Sequence, residues 1–471
     1  MDLIETLTEI VGAAHVIVGG DTEKYSNDWM GKYSSVPLAV VRPGSTQEVS
    51  EVLALAHAQA IPVVPISGNT GLTGGTYAQD SLMLSVERLN TIREVRPDAR
   101  IAVVEAGVIL ANLHDAAHAE NLVFPLFFGA RGSAMIGGAL STNAGGSNVV
   151  RYGSTRGLVL GLEVVLADGR VMDLMSELHK DNSGYDLKDM FVGAEGTLGI
   201  ITAAVVKLFP KPAAYATATI ATNSIPEALQ LLNRLQIATG GAVEAFEYMP
   251  QSYIDAHLKH IEDARPPFDT SYDVNILLEV AATAPRDATP NADGSIPVVE
   301  QLNETLGAFL EEGVVLDAVV AQNDSQRMAM WKRREDAAEL ARAMGPSVDV
   351  DIAVPTDKVA VFLDQMKGVL ADVDPGATDG GVCHLGDGNL HYSVFPVTTG
   401  PVMADAIIER IEDVVLGLGG SFSAEHGIGL SKKPSMARRK NPLAVEVMRS
   451  IKDALDPKGI LNPGKVLPDA P

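Results

Sequence analysis

Short β-rich runs and helix-period runs alternate along most of the chain. The opening stretch "MDLIETLTEIVGAAHVI" has the spacing of an amphipathic helix. From about residue 36, "PLAVVRPGS" reads as a strand leading into "STQEVSEVLALAHAQA", where Ser45 and Glu48 stand at capping-box spacing ahead of an apolar stripe. "IPVVPISG" follows as a buried strand that runs into glycine, completing a strand-helix-strand unit. Further on, "LGLEVVLADGRVMDL" predicts two strands joined by a tight turn at Asp168-Gly169.

After "KLFPKPAA" the texture changes, which sets a boundary near residue 211. Strands are expected in "ATATIAT", "VEAFEYM", "VNILLEVA", "VVLDAVVA" and "SVDVDIAVP", with helices over 226–238, 298–312, 326–343, 357–370 and 402–418. That order predicts an α+β domain: an antiparallel or mixed sheet with helices on one side. "DATPNADGSIP" reads as an exposed loop, and the C-terminus ends in "LDPKGILNPGKVLP", a chain of turns.

A chain of 471 residues exceeds the size at which one core keeps growing, so two or three domains are expected. With 46% hydrophobic residues it can fill them. The formal charge of -24 excludes nucleic acid or an anionic bilayer as the primary partner, and any small anionic substrate needs a locally basic site. The single cysteine, Cys383, rules out an internal disulfide and fits a reducing compartment. The N-terminal stretch is acidic where a secretory signal is basic. The longest apolar approach, "LGIITAAVVKLF", is stopped by Lys207, so a cytoplasmic chain with no integral membrane segment is expected.

Glycine concentrates in "SGNTGLTGG" (67–75), "GARGSAMIGGALSTNAGG" (129–146) and "GAEGTLGI" (193–200). A loop of the first kind after a buried strand offers backbone N–H groups with no side chains in the way, a nest for a diphosphate. No Walker Lys-Ser/Thr ends it and no G-x-G-x-x-G is present, so neither a P-loop nor a bound nicotinamide is indicated. One such loop is often only a tight turn. A second, mixing glycines with Ser133, Ser141, Thr142 and Asn143, points to a long ligand.

"PISGNTGLTGG", "GSAMIGGALSTNAGGSNVVRYGSTRG", "YDLKDMFVGAEGTLGIIT", "HLGDGNLH", "SAEHGIG" and "LDPKGILNPGK", in this order over nearly the whole chain, resemble the FAD-linked D-2-hydroxy acid dehydrogenases of the vanillyl-alcohol oxidase fold superfamily. That group includes D-lactate dehydrogenases, D-2-hydroxyglutarate dehydrogenases and the flavin subunit of glycolate oxidase. The resemblance implies a two-lobed FAD-binding domain over residues 1–210, an α+β substrate (cap) domain over 211–425 and a C-terminal segment, 426–471, that returns to the FAD domain. It implies that Ser67, Gly68, Asn69, Thr70, Gly71 and Gly74 grip the FAD diphosphate. Ser133, Gly137, Gly138, Thr142, Asn143, Gly146 and Tyr152 would line the flavin, Glu195, Gly199 and Ile200 would lie near the adenosine, and Asn462 would come back from the C-terminus. Relatives with covalent flavin carry a histidine near the position of Asn69, so FAD is expected to be held non-covalently.

In "CHLGDGNLHYSV" the residues 386–389 favour a turn, which would set His384 opposite His391 and Leu385 opposite Leu390 across a hairpin. Two imidazoles and a carboxylate suit a divalent ion with open positions, zinc or manganese, and Glu425 is the natural third ligand. A lone histidine would be read as an ordinary hydrogen-bonded one. His384, His391, Glu425 and His426 together, among only ten histidines, favour a site. The resemblance implies His384, His391 and Glu425 as metal ligands and His426 as catalytic base.

Oxidising a 2-hydroxy acid removes the hydroxyl proton and transfers the C2 hydrogen as hydride. A metal at the hydroxyl oxygen eases the first loss, imidazole accepts protons near neutrality, and flavin N5 takes the hydride. The substrate carboxylate needs a cation, and "MWKRREDAAEL" offers Lys332, Arg333 and Arg334; the family pattern makes Arg334 the clamp. Trp331 reads as a packing anchor and Cys383 as a small buried hydrophobe.

Relatives acting on the five-carbon dicarboxylate carry a lysine shortly before the D-x-x-x-P strand, where this chain has Asp349. D-Lactate or a bulkier monocarboxylate is therefore preferred over D-2-hydroxyglutarate. Electrons would leave to an external acceptor, a quinone or an electron-transfer flavoprotein, and a homodimer is the default oligomeric expectation. A glycolate oxidase flavin subunit, and a flavin-binding electron-transfer subunit without substrate chemistry, are the competing expectations.

Overall fold

Burial of the apolar runs accounts for most of the elements. In the computed structural model, which describes residues 2–469, the helix Leu3–Val11 buries Leu7 and Val11 in one cluster with Val49, Val52, Leu53 and Ala56 of the helix Thr46–Gln59. Ser45 Oγ accepts the Glu48 backbone N–H at 3.2 Å, and the Glu48 carboxylate takes the Gly44 N–H at 2.8 Å, so the box closes one residue upstream of the N-cap.

Contacts divide the chain into two units. One holds the residues up to Gly145, Gly153–Pro210 and the residues from Glu425 onward; the other holds Gly146–Tyr152 and Lys211–Ala424. In the first, β1 (Val16–Ile17), β2 (Ala39–Val41), β3 (Val63–Ile66) and β4 (Leu82–Ser85) form a sheet of order β1-β2-β4-β3, with β2, β4 and β3 parallel. The backbone of Ile460 and Asn462 bonds to Val63, each at 2.8 Å, and so ties the C-terminal segment to β3.

A second sheet is antiparallel, of order β5-β6-β10-β8-β9, built from β5 (Ile92–Arg96), β6 (Ile101–Glu105), β8 (Val159–Val165), β9 (Val171–Leu174) and β10 (Ile200–Lys207). β7 (Leu122–Val123) pairs with β11 (Phe209–Pro210). The Asp168-Gly169 turn joins β8 to β9 as expected, with Gly169 at φ +87°.

The second unit carries a seven-stranded sheet of order β15-β12-β14-β13-β17-β18-β16. Its strands are β12 (Ala214–Thr222), β13 (Val243–Pro250), β14 (Val274–Ala282), β15 (Asp317–Val320), β16 (Val348–Ala353), β17 (Thr378–His384) and β18 (Asn389–Phe395). Every pairing in it is antiparallel. Strand alternation gives it two unlike faces. Ile220, Phe246, Ile276, Leu278, Cys383, Leu390 and Tyr392 point to an apolar core shared with the helices Ile225–Ala238, Pro297–Glu311, Val359–Val373 and Pro401–Gly417.

Helices cover the opposite face as well, a correction to the one-sided arrangement expected from sequence. Gln251–His260, Asp324–Glu335 and Ala337–Met344 pack there on Met249, Leu277 and Val382. The reason is the chemistry of that face. It presents Glu247 and Glu279, buried carboxylates that need partners, and the helix Asp324–Glu335 brings Arg327, Trp331 and Arg334 to them. The helix expected over 326–343 is broken at Asp336, whose carboxylate accepts Lys332 Nζ at 2.7 Å and contacts His257 Nε2 at 3.0 Å. Among the described residues no helix is long and apolar enough to cross a membrane.

Candidate functional site

The first glycine loop begins where β3 ends. A Cβ on Gly68 would run into the Ser133 carbonyl, one on Gly137 would sit 2.8 Å from Ala106 Cβ, and one on Gly138 would sit 3.3 Å from Ser67 Cβ. The two glycine-rich loops thus lie against one another, which only bare backbone permits. Gly74, at φ +72°, packs under the Tyr33 ring, whereas a Cβ on Gly71, next to Thr70, would meet nothing within 4 Å. Asn69 uses both ends of its amide within the protein: it donates to Asn27 O at 2.9 Å and accepts from Thr76 Oγ1 at 2.9 Å.

Of the buried polar atoms in this unit that lack a hydrogen-bond partner, Ser67 Oγ and Asn462 Oδ1 lie at the first glycine loop. Buried polar groups are normally paired. Asn462 is only 2% exposed, and its Nδ2 is anchored to Glu195 O at 2.7 Å and Gly75 O at 3.2 Å, so its orientation is set by the fold. The N–H groups of an open glycine loop suit the phosphates of a cofactor such as FAD, and the orphaned Ser67 hydroxyl and Asn462 amide oxygen suit its polar hydrogen-bonding groups.

Other polar residues of the second loop shape the backbone. Thr142 Oγ1 donates to Gly138 O at 3.1 Å. Asn143, left-handed at φ 51°, ends the helix Ile136–Thr142 and accepts the Arg156 N–H at 2.8 Å, while Ser133 Oγ points at Ala130 O at 3.4 Å.

Gly199 and Ile200 have packing roles: a Cβ on Gly199 would stand 2.6 Å from Val164 Cγ1, and the Ile200 side chain is buried in the core of the first unit. Glu195 is likewise used within the fold. Its carboxylate accepts the backbone N–H groups of Ile428 at 2.7 Å and Gly429 at 2.8 Å, and burial pushes its pKa up against those two bonds.

Those bonds hold the loop that carries Glu425 and His426. Leu430 N–H donates to Thr73 O at 2.8 Å, and Thr73 Oγ1 reaches His426 O at 3.4 Å, so the loop is stapled to the first glycine loop. Gly427 (φ +78°) and Gly429 (φ +50°) leave no room for a Cβ against Glu195 and Thr73. His426 Nε2 lies 3.9 Å from Glu425 Oε1, with the imidazole part-exposed.

In the second unit the histidine hairpin has a register two residues from the expected one. His384 pairs with Asn389 and Val382 with His391, so all of Leu385–Gly388 forms the turn. Gly388 sits at φ +82° with its N–H on His384 O at 3.0 Å, and Asp387 Oδ1 accepts the Asn389 N–H at 3.0 Å, which closes the turn early. A shift of two keeps the face, so both imidazoles still project to one side. Their Nε2 atoms are 3.3 Å apart.

His384 Nδ1 meets Glu247 Oε1 at 2.8 Å, and Arg334 Nε donates to Glu247 Oε2 at 2.8 Å. Arg334 is 8% exposed, and its Nη2 lies 3.5 Å from His384 Nε2. Burial works against the Glu247 charge, but His384 and Arg334 overcome it and hold the carboxyl below its usual range. Glu247 and Asp351 were missed by sequence reasoning. Each is a carboxylate inside an apolar strand run, "VEAFEYM" and "SVDVDIAVP", a signal that such a strand must supply a partner. Asp351 Oδ1 lies 3.9 Å from His391 Nδ1 and accepts Asn389 Nδ2 at 2.8 Å; its backbone carbonyl takes the Ala424 N–H, one residue before Glu425.

The segment Gly146–Tyr152, expected to line a flavin, belongs to this second unit by its contacts. Tyr152 donates its hydroxyl to Glu244 Oε1 at 2.6 Å and Arg151 Nη1 reaches the same oxygen at 2.9 Å. Burial raises the Glu244 pKa against those two partners. Gly386 of the histidine turn is glycine because a Cβ there would lie 2.6 Å from Val150 Cγ2. Trp331 donates Nε1–H to Glu279 at 2.9 Å, and Cys383 is buried on the apolar face, its thiol pKa raised by burial.

Residues 37–175 match the FAD binding domain family, and residues 211–466 match the family described as FAD linked oxidases, C-terminal domain. The chain is 37% identical over 462 residues to a D-2-hydroxyglutarate dehydrogenase, mitochondrial, of Arabidopsis thaliana, covering 98% of this chain and 80% of that one. It is 32% identical to a D-2-hydroxyglutarate dehydrogenase of Stutzerimonas stutzeri, covering 98% of both. Among solved structures, 4-ethylphenol oxidase from Gulosibacter chungangensis superposes with a TM-score of 0.72 at 18% identity, over 99% of this chain and 97% of that one. p-Cresol methylhydroxylase superposes with 0.69 at 18%, over 98% and 95%. At that identity the structures establish the fold alone. With both families matched in chain order and relatives similar over 98% of this chain, the chain belongs to the FAD-linked oxidases, as a FAD-dependent D-2-hydroxy acid dehydrogenase of the vanillyl-alcohol oxidase fold.

Proposed function

We propose that the chain oxidises the D-2-hydroxy acid at a site where Arg334 binds the substrate carboxylate, His426 takes the hydroxyl proton, and His384, His391 and Glu425 hold a divalent ion. The observation that carries the ion is the 3.3 Å separation of the two Nε2 atoms. Two nitrogens each about 2.0–2.1 Å from one tetrahedral zinc lie about 3.4 Å apart. The carboxylate of Glu247 behind His384 is the partner that metal-bound histidines characteristically have.

FAD would be held non-covalently by the Ser67–Gly74 loop, the second glycine loop and Asn462; when bound it supplies the hydride acceptor. A divalent ion would supply a Lewis acid that lowers the hydroxyl pKa. The protein's own contributions are positional. Arg334 is desolvated and fixed by Glu247 through Nε, which leaves the Nη edge to engage a carboxylate. The His426 loop is immobilised by Glu195, so its imidazole is held ready to accept a proton without reordering.

For the rest of the substrate we propose an uncharged tail, D-lactate or a bulkier monocarboxylate. Asp349 pairs with Ser393 as Asp351 pairs with His391, so it stands two residues further along the same face, exposed, its carboxylate bonded to Ser393 Oγ at 2.6 Å and Ser347 Oγ at 2.8 Å. A second substrate carboxylate there would meet like charge. The second reading, D-2-hydroxyglutarate, has the names of the relatives in its favour. The electron acceptor we propose is a quinone or an electron-transfer flavoprotein, and the metal zinc or manganese.

Anaerobic mixing of the purified yellow protein with D-lactate and with D-2-hydroxyglutarate, followed in the visible spectrum, tests both parts. D-Lactate should bleach the flavin faster, and His426→Ala should keep the colour while slowing bleaching by about 100-fold or more. Rapid bleaching of that variant refutes the role of His426; a faster reaction with D-2-hydroxyglutarate refutes the uncharged tail.

A further inference from the structure

One carboxylate, Glu247, is shared between two functional groups with one oxygen for each. Oε1 meets His384 Nδ1 at 2.8 Å and Oε2 takes Arg334 Nε–H at 2.8 Å. Glu247 is 1% exposed, and it is the direct register partner of His384 across β13 and β17. A carboxylate so placed holds the proton of His384 on Nδ1 and presents the Nε2 lone pair to the side where His391 Nε2 lies 3.3 Å away. The same carboxylate fixes the guanidinium plane, and Arg334 Nη2 comes within 3.5 Å of His384 Nε2. A permanent cation therefore borders the nitrogen that would ligate another cation. That arrangement is tolerable only while negative charge balances the arginine.

We infer that Glu247 is a positioning residue that couples ion affinity at His384 to binding of the substrate carboxylate at Arg334. This rests on the proposed roles of His384 and Arg334. Two effects add. Glu247 orients both groups at once, so displacing one displaces the other. A carboxylate bound to Arg334 also neutralises the charge that opposes the ion, so each ligand raises the affinity for the other by the same factor. Glu279 makes the contrasting arrangement: its partners are Arg327, Trp331 and Thr217, all protein groups without a proposed ligand, and it carries no such coupling.

The test measures Zn2+ affinity of the flavin-loaded protein by competition with a chromogenic chelator, with and without pyruvate, a keto acid that binds through its carboxylate and is not oxidised. Wild type should bind Zn2+ more tightly with pyruvate present. Glu247→Gln keeps the volume but turns an N–H2 toward a donor, and should weaken Zn2+ binding about 10- to 100-fold and reduce the pyruvate effect. KM for D-lactate should rise together with that loss. If Glu247→Gln does not fold, Arg334→Met probes the coupling from the other end and should abolish the pyruvate effect. Unchanged Zn2+ affinity in Glu247→Gln, or a pyruvate effect that survives Arg334→Met in full, overturns the inference. Failure of wild type itself to bind Zn2+, or binding that His391→Ala leaves intact, would instead refute the ion site.

Discussion

The carboxylate of Glu195 receives the Gly429 backbone N–H at 2.8 Å across 234 residues of sequence. Ile428 N–H occupies its other oxygen, and together they hold the loop of His426. Glu195→Gln offers one acceptor where two donors converge, leaving a buried N–H unpaired. The expected cost is about 1–3 kcal/mol, measured by urea unfolding, with faster proteolysis between residues 425 and 431. Equal stability of variant and wild type would refute the staple.

Gly68 and Gly71 separate the two demands on the first glycine loop. A Cβ on Gly68 collides with the Ser133 backbone, whereas one on Gly71 meets no protein atom within 4 Å. Gly68→Ala should lower the melting temperature of the FAD-free protein and abolish flavin retention. Gly71→Ala should leave the FAD-free melting temperature unchanged and weaken FAD binding alone, read by equilibrium dialysis. Unaltered FAD affinity in Gly71→Ala would count against that loop as the diphosphate cradle.

His114 gives the stability a pH dependence unconnected with catalysis. Buried in the helix Leu110–Ala119, with Nε2 3.1 Å from Leu126 O and its ring 4.5 Å from that of Phe127, it has a pKa pushed down to about 4, first by burial and then by His118. The unfolded chain protonates this group below about 6.5, while the native state resists until about 4. Between those values the unfolded state binds more protons, so stability falls as pH falls, by up to about 1.4 kcal/mol per unit. His114→Gln should shrink the stability difference between pH 6.5 and 4.5 by about 2–3 kcal/mol in urea titrations. An undiminished difference would place the ring in solvent.

Asp349 is exposed and makes its bonds only to serines, so its charge can be reversed at little cost to the fold. Asp349→Lys should raise kcat/KM for D-2-hydroxyglutarate relative to D-lactate by roughly 10-fold or more, equivalent to about 1.4 kcal/mol. An unchanged ratio would show that the substrate tail does not approach β16.

The parts of this protein written in its sequence are those that depend on neighbours along the chain. Apolar periodicity located many of the strands and helices, Ser45 and Glu48 marked a helix start, Asp168-Gly169 marked a hairpin, and the ordered glycine and histidine blocks marked a flavoenzyme. These follow from backbone geometry and local hydrogen bonding, which read a few residues at a time. Tertiary structure decided what requires distant segments to meet. The histidine hairpin closed one residue earlier than its turn residues implied, a change of two in register, with Gly388 held against the Val354 carbonyl where no Cβ fits. Helices covered the second sheet face because buried Glu247 and Glu279 demanded cations from a helix about 50 to 90 residues away in sequence. A carboxylate buried in a strand announces that it needs a partner. Which arginine and which imidazole answer it is settled only when the chain has folded, because pairing energy depends on distance in space and not on distance along the sequence.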